Sequence, residues 1–360
     1  MKLLFGSKKN FDKDLERLIA QRKSKIYSNT TSVLKIIRDV KKNGDKALLK
    51  YEKRFNKNSV IIPSKKKITK SISLLDKKVK KAIDQAYNRI YKFHTLQKFQ
   101  NISHKDKYKN KLFYKHVPLD SVAVYVPGSS ASYPSSVLMA SIPAVVAKVK
   151  RIIMVNPSYR GNQNPAVLYA ARKCKIKEIY SIGGPSAVAA VAYGTKKIKA
   201  VDKIVGPGNQ FVTAAKKEVF GEIGIDGIAG PSEVTIVCDK ISNPEWLASD
   251  LIGQAEHGKL SQCILISKNK SIIIEVKKEL QKQLKKIPRS SIAKQSLKNF
   301  GIIIYEKSDK KIIDIINKIG PEHLELNIKN FKSYIPKIKN AGSVACGKYA
   351  VMALTDYGAP

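Results

Sequence analysis

Two short segments place histidine beside groups that could assist it in metal binding or proton transfer. A helix is predicted to begin at Asn243-Pro244-Glu245, with an asparagine cap and proline at the first helical position. Gln254 and His257 lie three residues apart near its end, so both point from one side and could hold a metal, although glutamine is an uncommon ligand. Glu322 and His323 are adjacent after a Gly-Pro turn, and a carboxylate beside an imidazole suits general acid–base chemistry. The same dipeptide is also typical of a favourable charge at a helix start, and that alternative stays open. A further acid, Asp356, lies in a glycine-containing turn.

Three Gly/Pro turns could bind a phosphate. They span residues 127–130, 183–186 and 206–209, and each follows a predicted strand. Each turn leaves backbone N–H groups free at the start of a helix, and such groups bind anions. None of the turns contains the GxGxxG fingerprint of dinucleotide-binding folds, so an ordinary tight turn explains any one of them. Their occurrence together in one alternating unit favours phosphate binding.

Alternating strands and helices must position these residues. Short apolar runs bounded by turn residues predict strands at 122–126, 152–155, 178–182 and 203–205, and again at 234–237, 263–266 and 301–305. Helical patterns lie between them, which predicts an α/β fold with two parallel sheets and helices on both faces. Residues 1 to about 95 are predicted to be mostly helical. In such sheets ligands bind at the carboxyl ends of the strands, where the three turns lie.

The composition is that of a globular protein. The chain is 43% hydrophobic and 27% charged, and its length of 360 residues predicts two or three domains. Lys and Arg total 68 against 28 Asp and Glu, a net charge of +40 that raises the question of a nucleic-acid partner. The lysines are spread along the whole chain, and no zinc finger, helix-turn-helix or RRM pattern accompanies them. A solvated basic surface that attracts anionic cofactors explains them better.

The cysteines and the hydropathy indicate a cytoplasmic rather than a secreted or membrane protein. Four cysteines are scattered without a CxxC spacing, which excludes a disulfide framework and a thiolate zinc site. No secretory signal is recognisable at the N-terminus, and no apolar run approaches the ~18 residues of a membrane helix. We therefore expect a reducing, cytoplasmic setting.

Taken together, the motifs resemble those of the L-histidinol dehydrogenase family. They occur in the family's order and spacing and cover most of the chain from residue 120 onwards. The matching segments are Tyr125-Val126-Pro127-Gly128, residues 201–204 leading into 206–209, residues 229–233, Ala248-Ser249-Asp250-Leu251, residues 254–258, residues 320–324, Ala341-Gly342-Ser343-Val344 and Asp356-Tyr357. The first third of the chain matches only in general character.

The resemblance implies an activity and a role for each candidate residue. The family oxidises L-histidinol to L-histidine with two NAD⁺ through bound L-histidinaldehyde in histidine biosynthesis, with one zinc ion per subunit of a homodimer. Glu322 and His323 would be the catalytic acid–base pair. The implied zinc ligands are Gln254, His257 and Asp356, the substrate contacts are Ser232, Gln254, His257, His323 and Asp356, and the NAD contacts are Tyr125, Ser186 and Asn209. Ser186 stands where the family usually has glutamine, so a side-chain amide is lost.

From the motifs and their resemblance we predict two Rossmann-like units, one inserted into the other. Residues 125–231 would form the inserted NAD-binding domain. Residues 21–124 and 232–360 would form a discontinuous domain with the metal and catalytic residues, preceded by a helical N-terminal segment, 1–20. We expect the site in the cleft between the domains, as is common for enzymes. The other interpretations are an inactive remnant of the enzyme and a basic nucleic-acid-binding protein.

The first testable prediction concerns activity. The resemblance implies a fourth zinc ligand, a histidine in an Asn-His-Val-Leu-Pro motif, and a substrate-binding glutamate, both after the Asp356-Tyr357 turn, whereas the sequence ends at Pro360. A displacement of ~1 Å can cost ~100-fold in rate, so loss of two anchors should cost more. We expect little NADH absorbance from residues 1–360 with histidinol and zinc, and activity when the family's tail is added. NADH formation at the full rate by the 360-residue chain would contradict this expectation.

Overall fold

A computed structural model describes residues 1–23, 30–128, 133–228 and 230–358. The described elements are β1 (Lys2–Phe5), α1 (Phe11–Lys23), α2 (Thr30–Asn56), α3 (Lys65–Ser73), α4 (Lys77–Thr95), β2 (Ile102–Lys105), β3 (Lys111–Tyr114), β4 (Ser121–Tyr125), α5 (Pro134–Val146), β5 (Arg151–Val155), α6 (Pro165–Lys173), β6 (Glu178–Tyr180), α7 (Gly184–Tyr193), β7 (Lys203–Val205), α8 (Gln210–Val219), β8 (Gly224–Ile225), β9 (Glu233–Cys238), α9 (Pro244–Ala255), β10 (Gln262–Ser267), α10 (Lys270–Gln283), α11 (Ser290–Phe300), β11 (Ile302–Tyr305), α12 (Asp309–Ile319), β12 (His323–Asn327), β13 (Ser343–Cys346) and α13 (Ala353–Gly358).

The first of two compact units contains Asn29–Ala229 and Asp356–Pro360. Its five-stranded parallel sheet has the order β6-β5-β4-β7-β8. Alternate residues of β4 point to opposite faces, so Ala123 belongs to the core beneath α2, α7 and α8, while Val124 belongs to the core beneath α4, α5 and α6. The predicted α/β fold with helices on both faces is confirmed.

Helices α2, α3 and α4 pack on this sheet, which corrects the predicted division of the chain. We had placed residues 21–124 with residues 232–360. In the structure the apolar stripe of α2, with Val33, Val40 and Leu48 fully buried, packs against α7, and α4 packs against α5 and α6. An amphipathic helix must bury its apolar face, and these helices bury it on the neighbouring sheet. The inserted unit therefore begins near residue 29 instead of 125.

The second unit contains Met1–Ser28 and Gly230–Thr355. Its six strands are all parallel, in the order β1-β11-β10-β9-β12-β13. The N-terminal segment, predicted to be helical, contains α1 but begins with a strand that was not predicted, because Lys2–Phe5 pairs with Ile302–Tyr305 at the edge of this sheet. The run Leu3-Leu4-Phe5 is too short for its strand character to be recognised from periodicity.

Two further observations complete the fold. Residues 102–105 and 111–114 form an antiparallel hairpin, β2–β3, whose eight residues are all exposed, and the sequence analysis did not predict it. Of the helices that the structure describes, none combines the length and the apolar character needed to cross a membrane.

The backbone conformation of two glycines in the first unit yields a stability prediction. Gly184 and Gly206 both have positive φ angles, +64° and +115°. A Cβ at Gly184 would meet nothing within 4 Å, whereas a Cβ at Gly206 would lie 2.2 Å from the carbonyl oxygen of Tyr125. We expect Gly184→Ala to lower the free energy of unfolding by about 1–2 kcal/mol, the cost of the left-handed conformation alone.

Gly206→Ala should cost more, roughly 3 kcal/mol or above, because β7 and β4 must also separate locally. Urea unfolding of the two variants and the parent measures the difference. Equal losses for the two variants would show that the close approach of Gly206 to Tyr125 does not constrain the sheet.

Candidate functional site

The predicted cofactor residues lie where the strand order of the first unit reverses. The chain runs from β4 outwards to β5 and β6 and then returns to place β7 on the other side of β4. Tyr125 ends β4 and the turn 206–209 directly follows β7. In open parallel sheets this reversal opens a crevice at the carboxyl ends of the strands, and ligands bind there. The structure thus places Tyr125 at the carboxyl end of β4 and Asn209 in the turn that follows the neighbouring strand β7.

Tyr125 contacts the second of the predicted turns. Its hydroxyl accepts a hydrogen bond from the backbone N–H of Gly184 (3.0 Å) at the start of α7. Burial raises the pKa of this tyrosine to about 12, so its hydroxyl is neutral at physiological pH. Ser186, three residues after Gly183, is buried, and its hydroxyl donates a hydrogen bond to the Gly183 carbonyl oxygen (3.0 Å). The serine hydroxyl is therefore engaged within the turn.

Asn209 caps α8, and an ion pair between buried Lys216 and more exposed Asp226 holds the turn before it. The Asn209 side-chain oxygen accepts from the N–H groups of Phe211 and Val212, both at 3.1 Å. Asp226 accepts from the Gly206 N–H (2.7 Å), and the ammonium of Lys216 donates to the Gly206 carbonyl oxygen (3.0 Å). Lys216 also pairs with Asp226 and is only 4% exposed. The first residue of the turn is thus held at both its N–H and its C=O.

Sequence reasoning missed Lys216 and Asp226. Nothing distinguishes one lysine among so many, and the glycine-containing stretch 221–230 around Asp226 is typical of a boundary between two units. The only available signal was an acid in a glycine-rich segment following a helix.

In the second unit, α9 presents the predicted metal ligands. The helix begins as predicted, with Asn243 accepting from the Glu245 N–H (2.8 Å) and Pro244 in the first turn. Its apolar stripe is fully buried on the sheet. Gln254 is 1% exposed, and among the residues that the structure describes neither its amide nitrogen nor its amide oxygen has a hydrogen-bond partner. His257 follows the end of the helix and is exposed.

Glu322 and His323 lie at the start of β12. The Nδ1 atom of His323 is 2.9 Å from the hydroxyl of Ser343, and its Nε2 atom is 3.9 Å from a carboxylate oxygen of Glu322. The other oxygen of Glu322 accepts from the N–H of Glu233 (3.0 Å), which follows Ser232 directly. The structure therefore brings the acid–base pair and the Ser232 segment together. His323 begins a strand, so the alternative of a charge at a helix start is excluded.

All these residues of the second unit share one edge of its sheet. Ser232, Glu322 and His323 lie at the amino ends of β9 and β12. Because α9 connects the parallel strands β9 and β10, it runs in the opposite direction to them, and its last turn returns to that same edge. Gln254 and His257 are thus at the level of the acid–base pair. In the second unit the candidate residues therefore lie at the amino ends of the strands. In the first unit the cofactor turns lie at the carboxyl ends of that unit's own strands.

A pair of acids lies beneath this edge, partly buried Asp250 and buried Glu325, and no sequence pattern distinguished them. Asp250 is one turn before Gln254 on α9, and Glu325 is two residues after His323 on the face of β12 that meets α9. Burial raises the pKa of both carboxyl groups, and the charge of Asp250 raises that of Glu325 further. One oxygen of Glu325 accepts from the N–H of Met352 (2.9 Å), directly before α13.

The complete metal site cannot be assembled from the described side chains. Among them no three His, Cys, Asp or Glu residues are grouped so as to hold a metal ion. The side chain of Asp356 lies outside the described residues. The convergence of Gln254, His257 and Asp356 therefore stays a prediction. Gln254 nevertheless fits a ligand role, because a buried amide oxygen without a partner is costly unless something else binds it.

Comparison with known proteins gives a consistent assignment. The family model for histidinol dehydrogenase matches residues 19–360. The chain is 71% identical over 358 residues to the histidinol dehydrogenase of Pelagibacter ubique, covering 99% of this chain and 84% of that protein. It is 39% identical over 353 residues to the enzyme of Nitrosomonas europaea, covering 97% and 82%.

A crystal structure of histidinol dehydrogenase from Elizabethkingia anophelis has the same fold. Its TM-score is 0.90 at 36% sequence identity, and the match covers 99% of this chain and 83% of that one. Family model, sequence and fold therefore agree over almost the whole chain. The chain belongs to the histidinol dehydrogenase family of NAD-dependent oxidoreductases.

Proposed function

We propose that Glu322 and His323 are the acid–base pair for both oxidations of L-histidinol to L-histidine, through L-histidinaldehyde. The observation that carries this proposal is the contact geometry at the start of β12. A carboxylate and an imidazole lie side by side, and a serine orients the imidazole. The 71% identity to a histidinol dehydrogenase supports the choice of substrate.

The hydrogen bonds of Ser343 support Nε2 of His323 as the nitrogen that acts as the base. The Ser343 hydroxyl donates to the main-chain oxygen of Glu322 (3.4 Å), so its oxygen is available to accept from the Nδ1–H of His323. Nε2 then carries the lone pair and removes the proton of the substrate hydroxyl. Glu322 activates water in the second half of the reaction, when the aldehyde is hydrated. One adjacent pair serves both halves of the reaction, because each half needs a base: His323 takes the proton of the alcohol, and Glu322 takes a proton from the water that adds to the aldehyde. The hydrate then loses a proton to the pair and a hydride to the second NAD⁺.

We propose that Gln254, His257 and Asp356 hold a zinc ion. When bound, zinc supplies a Lewis acid that anchors the imidazole and the amine of the substrate. The unpartnered amide of Gln254 supports this assignment, since its oxygen is a neutral ligand already removed from water. Ser232 would contact the substrate from the start of β9, together with Gln254, His257, His323 and Asp356.

We propose that the first unit binds NAD⁺, the hydride acceptor, at Tyr125, Ser186 and Asn209. Tyr125 offers a neutral hydroxyl, and Asn209 lies exposed at the start of α8. Because the Ser186 hydroxyl is engaged with Gly183, the contact from this turn would come from the main chain. A homodimer and a cytoplasmic location complete the proposal.

The acid–base assignment can be tested by substitution. In the form of the enzyme that oxidises histidinol, His323→Ala should lower kcat by roughly 100-fold or more, because proton abstraction loses its base. Zinc content should be nearly unchanged. Ser343→Ala should lower kcat less and shift its pH profile, since it removes only the orienting contact. NADH absorbance gives the rates and metal analysis gives the zinc content.

His104→Ala, in the exposed hairpin, is the matched control and should behave as the parent does. A His323→Ala protein with the turnover of the parent would remove His323 from the mechanism.

The metal assignment has a readout that does not depend on activity. Gln254→Leu replaces a buried amide without partners by an apolar side chain of similar size. We expect zinc affinity, measured by competition with a chromogenic chelator, to fall at least tenfold. The free energy of unfolding of the metal-free protein should stay equal or rise by about 1 kcal/mol, because an unsatisfied buried amide has been removed. Unchanged zinc affinity would contradict the assignment.

A further inference from the structure

Glu52 is a buried carboxylate that the proposed mechanism does not use. It lies in the last turns of α2 and is 1% exposed. One of its oxygens accepts from the backbone N–H of Gly183 (2.8 Å), and the other accepts from the side-chain amide of Asn56 (2.7 Å). The segment after α2 reinforces this contact, because the amide of Asn58 donates to the carbonyl oxygen of Ser181 (2.7 Å). The end of α2 thus holds the chain that leads from β6 into α7.

Neutral groups surround this carboxylate. The groups facing it are the amides of Asn56 and Asn58, the N–H of Gly183 and the hydroxyl of Tyr125. Within the described parts of the chain Glu52 has no ion pair. Burial raises the pKa of Glu52 to about 7, against the opposing effect of its hydrogen bonds. The group therefore changes charge near physiological pH.

Glu52 and Tyr125 hold neighbouring amides of one turn. The N–H of Gly183 donates to Glu52 and the N–H of Gly184 donates to the Tyr125 hydroxyl. The charge of Glu52 also raises the pKa of Tyr125, as expected for groups that lie close together. A negative charge therefore lies beside a predicted cofactor contact, and NAD⁺ carries two phosphates. Like charges repel, and more strongly where water is excluded.

We propose that Glu52 is a positioning residue for the cofactor turn 183–186, which it holds through the Gly183 amide, and that its ionisation weakens NAD⁺ binding. This inference rests on the proposed NAD⁺ site of the first unit. It assigns two separable effects to one side chain. Hydrogen-bond acceptance fixes the turn and persists in a neutral acceptor, whereas repulsion of the cofactor requires the charge.

Calorimetric titration of the full chain with NAD⁺ at pH 6, 7 and 8 tests the effect of charge. For the parent we expect the Kd to rise roughly threefold to tenfold between pH 6 and pH 8, as Glu52 loses its proton. Glu52→Gln keeps an acceptor and cannot ionise, so its Kd should stay near the parent's pH 6 value throughout. Glu222→Gln, at an exposed position of the same unit, is the matched control and should follow the parent.

Hydrogen exchange of the peptide containing residues 181–187, without NAD⁺, tests the holding of the turn. Glu52→Ala leaves the Gly183 amide without its acceptor, so exchange should accelerate at least tenfold, whereas Glu52→Gln should exchange much like the parent. At pH 6, the Kd of Glu52→Ala for NAD⁺ should be higher than that of Glu52→Gln. If Glu52→Ala does not fold, the Glu52→Gln titration still decides the effect of charge.

Three results would overturn parts of this inference separately. A Kd for Glu52→Gln that follows pH in parallel with the parent would refute the effect of charge. Exchange in Glu52→Ala at the parent's rate would refute the holding of the turn. Failure of the parent to bind NAD⁺ at any pH would refute the proposed cofactor site itself and, with it, the role of Glu52 in binding.

Discussion

The pairing of β9 with β12 is the constraint on which the candidate catalytic edge depends. These strands are far apart in the chain, with β10 and β11 between them in sequence, yet they lie side by side in the sheet. Their parallel register sets His323 opposite Val234. That alignment brings Glu322 within hydrogen-bonding distance of the N–H of Glu233, 89 residues earlier. A slip by one residue would turn His323 to the other face of the sheet.

The turns of the proposed cofactor site in the first unit depend on close packing around glycine main chains rather than on side-chain pairing. The Gly206 turn lies so near the Tyr125 carbonyl that only glycine fits, and Gly183 similarly lies against Pro157. Charged side chains then hold each turn through its main chain, buried Lys216 and more exposed Asp226 on one and buried Glu52 on the other. The turns are therefore part of a rigid framework, and a preformed binding turn loses little entropy when a ligand binds.

The surface of this protein carries mainly basic side chains, whereas its interior contains several acidic ones. The chain has a net charge of +40, from lysines spread over its surface, whereas several of its buried ionisable groups are acids. Glu52, Asp250 and Glu325 all have a raised pKa, because burial removes them from water. Each lies next to a candidate functional segment. Perturbed acids of this kind are common at functional sites, since a site must exclude water to control charge.

The features that could be predicted from the sequence are those set by interactions between residues close together in the chain. Alternation of apolar strands with helices predicted both parallel sheets, and the Asn-Pro start of α9 was predicted to the residue, because strand propensity and helix capping are local properties. The glycine turns and the Glu-His pair were visible as residue types at short spacing. The family resemblance rested on those same short motifs in order.

Tertiary structure decided what local pattern could not. The stripe of α2 is amphipathic in the sequence, but only packing shows that it covers the sheet of β4 and not that of β9. Leu3-Leu4-Phe5 is too short to be identified as a strand until β11 supplies a partner. Glu52, Lys216 and Glu325 are ordinary charged residues in the sequence. They became functional candidates because folding buried them, and the cost of burying a charge depends on neighbours that are distant in the chain.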